Sequence, residues 1–189
     1  NLASETPKNH FTVGINDDVT MLSLPVGKEI SMAKEGTFEA LFFGLGSDGT
    51  VGANKNSIKI IGGSTDKYCQ AYFSYDSKKS GGYTSSHLRF GDNPITSPYL
   101  VTTPDFVACH VPSYVEKYDV LKGLKRGGSF LLNSVNDAET TCATLPVHMK
   151  KYLAKKSINF YIINATKIAD ELGLGSRTNT IMQAAFFKI

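Results

Sequence analysis

The sequence predicts an α/β fold in which helices cover both faces of a mainly parallel sheet, a three-layer α/β/α arrangement. Two observations support this prediction. Short segments with the apolar content or the alternation of strands are followed by longer segments with helical spacing. Glycine-rich turns separate them, as at Arg126-Gly127-Gly128 and Gly173-Leu174-Gly175. Strands that alternate with helices favour a parallel sheet with crossover connections.

The first half of the chain contains most of the predicted strands. Residues 11–15 and 68–75 alternate between apolar and polar side chains, and residues 39–43 end in an apolar run typical of a buried strand. Residues 83–90 form a further candidate strand, and 106–108 a short apolar segment after Pro104. Between these strands, residues 50–61 have the spacing of a helix.

In the second half, helical spacing predominates. Helices are predicted at 113–125, 146–156, 165–172 and 181–187, and apolar strands at 129–132 and 159–163. We expect residues 1–10 to be a loose lead-in and residues 11–189 to form a single domain.

Composition narrows the class of protein. Hydrophobic residues make up 41% of the chain, and 20 basic residues nearly balance 17 acidic ones. This balance argues against a nucleic-acid or membrane partner, and no apolar run approaches the ~20 residues of a membrane span. The three cysteines lie far apart at Cys69, Cys109 and Cys142. We therefore expect buried, reduced thiols rather than disulfides or a metal site.

The segment after the strand predicted at 39–43 is the strongest functional candidate. It reads Gly44-x-Gly46-x-x-Gly49, follows an apolar strand and precedes a helix. Such a loop lets the backbone approach a phosphate, and the N–H groups at the helix start then hold the charge. A purely structural turn is the alternative. Ser47 lacks the spacing of a nucleophile elbow, and no catalytic residue is predicted.

Basic residues near this loop favour a phosphate-bearing ligand. Asp76 ends a predicted strand, where a dinucleotide-binding protein would hold a ribose hydroxyl. However, Lys78 and Lys79 follow at once, and Lys55 lies in the predicted helix. Three cations at one sheet edge would suit coenzyme A, which carries a pyrophosphate and a 3′-phosphate. The alternative is that the paired lysines are solvated loop residues. The four histidines show no metal-ligand spacing.

Several long strings in these regions resemble a known family. They are residues 44–57, 75–82 and 86–91, together with the tail from 171 to 187. They are similar to the pyruvate:ferredoxin (or flavodoxin) oxidoreductases, and specifically to the domain that corresponds to a separate gamma subunit. The resemblance runs from about His10 to the end of the chain.

The resemblance implies a role within a larger enzyme. The family oxidatively decarboxylates pyruvate with thiamine diphosphate, passes electrons through iron–sulfur clusters to ferredoxin or flavodoxin, and delivers the acetyl group to coenzyme A. This domain would help to form the coenzyme A site. The residues implied in binding are Gly44, Gly46, Ser47, Gly49, Asn54, Lys55, Lys78 and Lys79.

Other features belong to the rest of such an enzyme. The chain lacks a cysteine set for clusters and a thiamine diphosphate fingerprint, so alone it should be inactive. The resemblance further implies a homodimer when the enzyme is intact, in the cytoplasm or in an anaerobic organelle such as a hydrogenosome. Two alternatives remain: a structural docking domain over the thiamine diphosphate site, and an NAD-type nucleotide-binding domain.

Overall fold

A computed structural model of the chain describes residues 1–16, 19–27, 33–77, 81–96 and 100–189. The chain divides into two compact units, Asn1–Met32 and Ala33–Ile189. In the first unit, the strand predicted at 11–15 is wrong, since only an isolated bridge joins Val13 to Leu24. Gly14 has a φ of 70°, which interrupts the extended backbone of a strand. The single domain expected over residues 11–189 stays a prediction.

The second unit is built on a six-stranded sheet. Its strands are β1 Thr37–Leu45, β2 Tyr68–Tyr75, β3 Tyr83–Gly91, β4 Phe106–Cys109, β5 Ser129–Asn133 and β6 Asn159–Ile163. Their order in the sheet is β2-β3-β1-β4-β5-β6. Strands β1, β4, β5 and β6 are parallel to one another, and β3 runs antiparallel to both β1 and β2. The α/β class with a mainly parallel sheet is confirmed.

Helices cover both faces of this sheet. They are α1 Thr50–Ser64, α2 Tyr114–Lys117, α3 Ala138–Thr144, α4 Val147–Lys156, α5 Ala165–Glu171 and α6 Asn179–Lys188. Side chains alternate along β1, so that Leu41 packs in the cluster with Met149 of α4. Its neighbour Phe42 packs in the opposite cluster with Ile61 of α1 and Met182 of α6. The three layers expected from the sequence are therefore present.

One helical prediction needs correction, and one helix was not predicted. Of the helix predicted at 113–125, only Tyr114–Lys117 is helical. The chain then turns, with Gly123 at a φ of 79° and the Lys125 N–H donating to the Pro104 carbonyl. Helix α3 was not predicted, although its first turn is capped by Asp137, whose carboxylate accepts the Thr140 N–H at 2.7 Å.

The cysteines differ from the expectation in one respect. All three are free thiols, with Cys109 buried and Cys69 half-buried. Cys142, expected to be buried, is exposed on α3.

The structure also shows a buried ion pair that the sequence did not indicate, in which Arg89 Nε lies 2.8 Å from Glu39 Oε1. Within the described ranges, no helix is long and apolar enough to cross a bilayer.

Candidate functional site

The glycine loop lies where the connections of the sheet change direction. After β1 the chain crosses to α1 on one face, whereas after β4 it enters α2 on the other face. The carboxyl ends of β1 and β4 therefore border a topological switch point, where open α/β sheets bind ligands. Because β1 and β2 are both antiparallel to β3, they run in the same direction. The end of β2 thus lies at the same sheet edge as the glycine loop.

Two glycines of the loop are required by their surroundings. A side chain at Gly44 would place its Cβ 2.6 Å from the Thr50 side chain, so this position keeps β1 close to the start of α1. Gly49 has a φ of 86°, and a Cβ there would lie 2.8 Å from Asn179 of α6. The loop is also joined to β3, since the Gly46 N–H donates to the Gly82 carbonyl at 2.7 Å. The sequence prediction of a sharp turn here is confirmed.

Asp48 caps α1 from within the loop. Its Oδ1 accepts the Thr50 N–H at 2.7 Å, and its Oδ2 accepts the Leu45 N–H at 2.8 Å. The predicted phosphate site assumed that the N–H groups at the helix start are open to a ligand. The carboxylate already occupies one of them, and only those further along the first turn, at Val51 and Gly52, lack an acceptor within the helix. Asp48 was not predicted as a cap from the sequence, although an acidic residue just before a helix is a common capping signal.

A cavity of about 350 Å³ opens beside this loop. One wall is formed by the loop and the first turn of α1, and Gly46, Ser47 and Gly49 of the predicted site line it. The other wall is formed by the ends of β2 and β3 and by the turn between them, including Asp76 and Gly82. The structure therefore brings the glycine loop and the end of β2 together, as the sequence suggested.

The remaining predicted residues lie elsewhere. Gly44 packs beneath Thr50, and Asn54 is buried on α1. Lys55 does not line the cavity: its Nζ lies over the ring of Phe73, 5.4 Å from the centroid. Lys78 and Lys79 lie outside the described residues. Their role, and that of Lys55, in binding phosphate stays a prediction.

The electrostatic character of the cavity differs from that of a typical phosphate site. Two carboxylates, those of Asp48 and Asp76, belong to its lining. Among the residues that the structure describes, no lysine, arginine or histidine lines it. A phosphate bound here would need cations from Lys78 and Lys79 or from another part of a larger protein.

Several polar groups are buried between α1 and the sheet. Thr50 Oγ1 lies 2.9 Å from His110 Nδ1, which ties the start of α1 to the end of β4. Burial lowers the pKa of His110 to about 4 against a smaller opposing effect of Asp48, so this imidazole is neutral at pH 7. Asn54 Nδ2 and Thr84 Oγ1 have no hydrogen-bond partner in the described part of the chain. Thr84 also lines the cavity.

Tyrosines form the aromatic side of the cavity. Tyr83 lies between α2 residues and the sheet, with its ring centroid 4.7 Å from that of Tyr118 and 5.8 Å from that of Tyr114. Burial raises the pKa of Tyr83 to about 12, so its hydroxyl stays protonated. Tyr75 also lines the cavity, and its side chain is largely exposed. Neither tyrosine was predicted as a site residue, because their sequence pattern indicates only strands.

The described residues contain no group of side chains arranged for a metal ion or an iron–sulfur cluster. The three cysteines lie on β2, β4 and α3, so they do not fit a shared iron–sulfur cluster. Within the described ranges, no group of three or more histidine, cysteine, aspartate or glutamate side chains could hold a metal ion. What the edge of the sheet offers is a cavity with carboxylates, a buried hydroxyl, aromatic rings and the first turn of a helix.

Sequence comparison relates the chain to one family. A family model described as "Pyruvate ferredoxin/flavodoxin oxidoreductase" matches residues 39–189. A pyruvate:ferredoxin oxidoreductase from Moorella thermoacetica is 62% identical over 189 residues, which cover all of this chain and 16% of that protein. The chain therefore spans only a small part of the length of the curated relatives it matches.

Solved structures share the fold at lower sequence identity. A pyruvate oxidoreductase subunit from Thermotoga maritima superposes with a TM-score of 0.62 at 23% identity, covering 80% of this chain and 75% of that one. A 2-oxoglutarate:ferredoxin oxidoreductase from Magnetococcus marinus, solved with 2-oxoglutarate, coenzyme A and succinyl-CoA bound, gives a TM-score of 0.57 at 14% identity. There the match covers 79% of this chain and 23% of that one. These likenesses support the arrangement of strands and helices described above.

Proposed function

Because the chain belongs to the pyruvate ferredoxin/flavodoxin oxidoreductase family, we propose that it is the gamma-type domain of such an enzyme and contributes to its coenzyme A site. The observation that carries this proposal is the cavity of about 350 Å³ at the switch point of the sheet. The intact enzyme would convert pyruvate and coenzyme A to acetyl-CoA and CO₂, with electrons passing to ferredoxin or flavodoxin. We propose that thiamine diphosphate and the 4Fe-4S clusters are held outside this chain, in a cytoplasmic or organellar homodimer.

The glycine loop and the turn between β2 and β3 are the proposed binding elements. Two backbone hydrogen bonds join them, from Gly46 N–H to the Gly82 carbonyl and from Gly81 N–H to the Gly46 carbonyl, at 2.7 and 3.4 Å. Asp76 and Gly82, on either side of the lysine pair in the sequence, both line the cavity. This supports a role for Lys78 and Lys79 as the cations that meet the phosphates. The other residues proposed to contribute are Gly44, Gly46, Ser47, Gly49, Asn54 and Lys55.

A second candidate function is a docking domain that shapes the thiamine diphosphate site without touching a ligand. It is favoured by one observation, that no cationic side chain of the described residues lines the cavity. An NAD-type site, the third possibility from the sequence, would use Asp76 to hold a ribose diol. Titration of the intact enzyme with coenzyme A, its dephospho form and NAD separates the three.

Substitution of the lysines tests the coenzyme A proposal directly. In the intact enzyme, Lys78→Ala or Lys55→Ala should raise the KM for coenzyme A about tenfold or more, since a charge-assisted hydrogen bond contributes roughly 1.5–3 kcal/mol. Formation of the thiamine-bound intermediate from pyruvate should survive. Lys151→Ala, an exposed lysine on α4 that does not line the cavity, is the matched control. Unchanged coenzyme A kinetics in both variants would refute the assignment.

A further inference from the structure

We infer that the cavity beside the glycine loop receives the nucleoside end of the ligand, a flat neutral ring with hydrogen-bond donors, and that the phosphates stay outside it. Tyr75, Asp76 and Thr84 are the specificity-determining contacts. This inference rests on the coenzyme A site proposed above, and it assigns one part of that ligand to one part of the surface.

Charge excludes phosphate from the cavity itself. The Asp48 carboxylate accepts two backbone N–H groups at the start of α1, so an anion at that helix end would adjoin a fixed negative charge. Asp76 adds a second carboxylate to the opposite wall. Like charges repel most strongly where water is partly excluded. A neutral group avoids this repulsion, and a group with N–H or O–H donors gains from the same carboxylates.

Two side chains offer hydrogen bonds that the protein does not use. Asp76 Oδ1 accepts from Ser77, at 2.7 Å from the backbone N–H and 3.3 Å from Oγ. Its Oδ2 has no donor in the described part of the chain and can accept from an amino or hydroxyl group. Thr84 is only 3% exposed, and its Oγ1 has no partner among the described residues. A buried hydroxyl without a partner is costly, which favours a ligand group or water at this point.

Tyr75 supplies an aromatic face for a flat ring. It lies on the edge strand, directly opposite Thr84, and is 59% exposed and free to stack, whereas Tyr83 packs against Tyr114 and Tyr118 on the other face of the sheet. Bases stack on aromatic side chains irrespective of sequence because every base has a π-face. The cavity lies at the lower end of the ~300–1,000 Å³ range of small-molecule sites, so it suits one end of an extended ligand rather than the whole.

The experiment uses two probes that divide coenzyme A between them. Adenosine 3′,5′-bisphosphate contains the nucleoside with phosphates, whereas phosphopantetheine contains a phosphate without the nucleoside. Both are measured as competitive inhibitors against coenzyme A in the intact enzyme. Tyr75→Ala should raise the inhibition constant of the bisphosphate about tenfold and leave that of phosphopantetheine unchanged. Tyr75→Phe should restore binding because it keeps the ring.

The edge strand itself provides the control. Tyr72 lies three residues earlier on β2 and is 50% exposed, but it does not line the cavity. Tyr72→Ala should therefore leave both inhibition constants unchanged. An equal loss for both probes in Tyr75→Ala, or an equal loss in Tyr72→Ala and Tyr75→Ala, would overturn the inference.

A second variant tests the sign of the electrostatic argument. Asp76→Asn removes the charge and keeps the shape and the acceptor that Ser77 uses. If a neutral group with hydrogen-bond donors binds at Asp76, this variant should bind the bisphosphate several-fold more weakly. If a phosphate lies there instead, the variant should bind the bisphosphate more tightly, which would overturn the inference. If Lys78→Ala raises the KM for coenzyme A while Tyr75→Ala and Asp76→Asn leave both inhibition constants unchanged, the proposed coenzyme A site is supported and this inference is refuted. If none of the three variants has an effect, both are refuted.

Discussion

Gly123 and Gly127 both adopt a left-handed backbone, with φ values of 79° and 74°, but their surroundings differ. At Gly127, a Cβ would meet nothing within 4 Å. At Gly123, it would overlap the carbonyl oxygen of Thr102, an impossible contact unless the backbone moves. The pair therefore separates the cost of backbone conformation from the cost of close packing.

This difference leads to a prediction for stability. Gly127→Ala should lower the free energy of unfolding by about 1–2 kcal/mol, the cost of a left-handed conformation in a residue with a side chain. Gly123→Ala should lower it by about 2–5 kcal/mol, because a packing penalty of roughly 1–3 kcal/mol is added. Urea denaturation of the two variants side by side measures the difference. Equal losses would show that the turn at Gly123 relaxes freely.

At the level of secondary-structure elements, the start of α1 depends on a side chain within the preceding loop. Asp48 accepts N–H groups from both sides of the turn, and its charge faces the positive end of the helix dipole. We predict that Asp48→Ala lowers the free energy of unfolding by about 1–2 kcal/mol. Asp48→Asn should lose less, because the amide oxygen still accepts one bond. Denaturant midpoints compare the two, and identical losses would mean that the charge, not the cap, matters.

In the second unit, all six strands and four of the helices were predictable from the sequence to within about three residues, whereas the strand predicted at 11–15 in the first unit and the helix predicted at 113–125 were not found as predicted. The two-residue alternation of β2 and the apolar character of β6 survive in the fold, and both strands have the predicted bounds. The helix expected after residue 113 failed for a physical reason. Val120, Leu121 and Leu124 have helical spacing, but they reach the core from a turn around Gly123. That turn is set by contacts with residues 102–105, which are distant in sequence.

The candidate site shows the same division between local and long-range information. The glycine loop was predictable because the glycines that permit the turn are close together in the sequence. The opposite wall of the cavity was not, because Tyr83 and Thr84 reach the loop only through the pairing of β3 with β1. Helix α3 is seven residues long and too short to show a clear apolar period, and its local signal was the cap at Asp137.

Across the whole molecule, two buried histidines make stability depend on pH. The pKa of His87 is lowered to about 4 by burial and by the nearby charge of Arg89, and that of His110 to about 4 by burial. His87 also accepts the Val101 N–H through Nδ1, so protonation would remove an acceptor from the core. In the unfolded chain, a histidine titrates near 6.5.

The sign of the effect follows from these pKa values. As the pH falls below about 6.5, the unfolded chain takes up protons that the folded chain does not bind until about 4. The free energy of unfolding should therefore decrease with falling pH in this window, approaching about 1.4 kcal/mol per pH unit for each histidine. Denaturation between pH 7 and 5 measures the slope. His87→Asn, which retains an acceptor for Val101, should reduce it, and a slope that this variant leaves unchanged would contradict the assignment to His87.

We propose that the chain supplies only part of a coenzyme A site, and this proposal determines how it should behave in isolation. In the described part of the chain, the glycine loop forms one wall of the cavity and the ends of β2 and β3 form the other. The acceptor thiol of coenzyme A must reach a thiamine cofactor that we propose is held elsewhere. Much of the ligand would remain in water, while the entropic cost of association is still incurred. We predict that the isolated chain binds coenzyme A weakly and catalyses no turnover.

Salt should weaken the binding that remains, because the proposed phosphate contacts come from Lys78 and Lys79 rather than from a cation lining the cavity. The Debye length falls from ~10 Å at 0.1 M to ~3 Å at 1 M ionic strength, which screens exposed charges but leaves stacking in place. Calorimetry of the isolated chain with coenzyme A at low and high ionic strength tests this. Tight binding that salt does not alter would mean that these 189 residues enclose a complete pocket. Acetylation of coenzyme A by the isolated chain would refute the proposal that the thiamine cofactor and the clusters are held outside this chain.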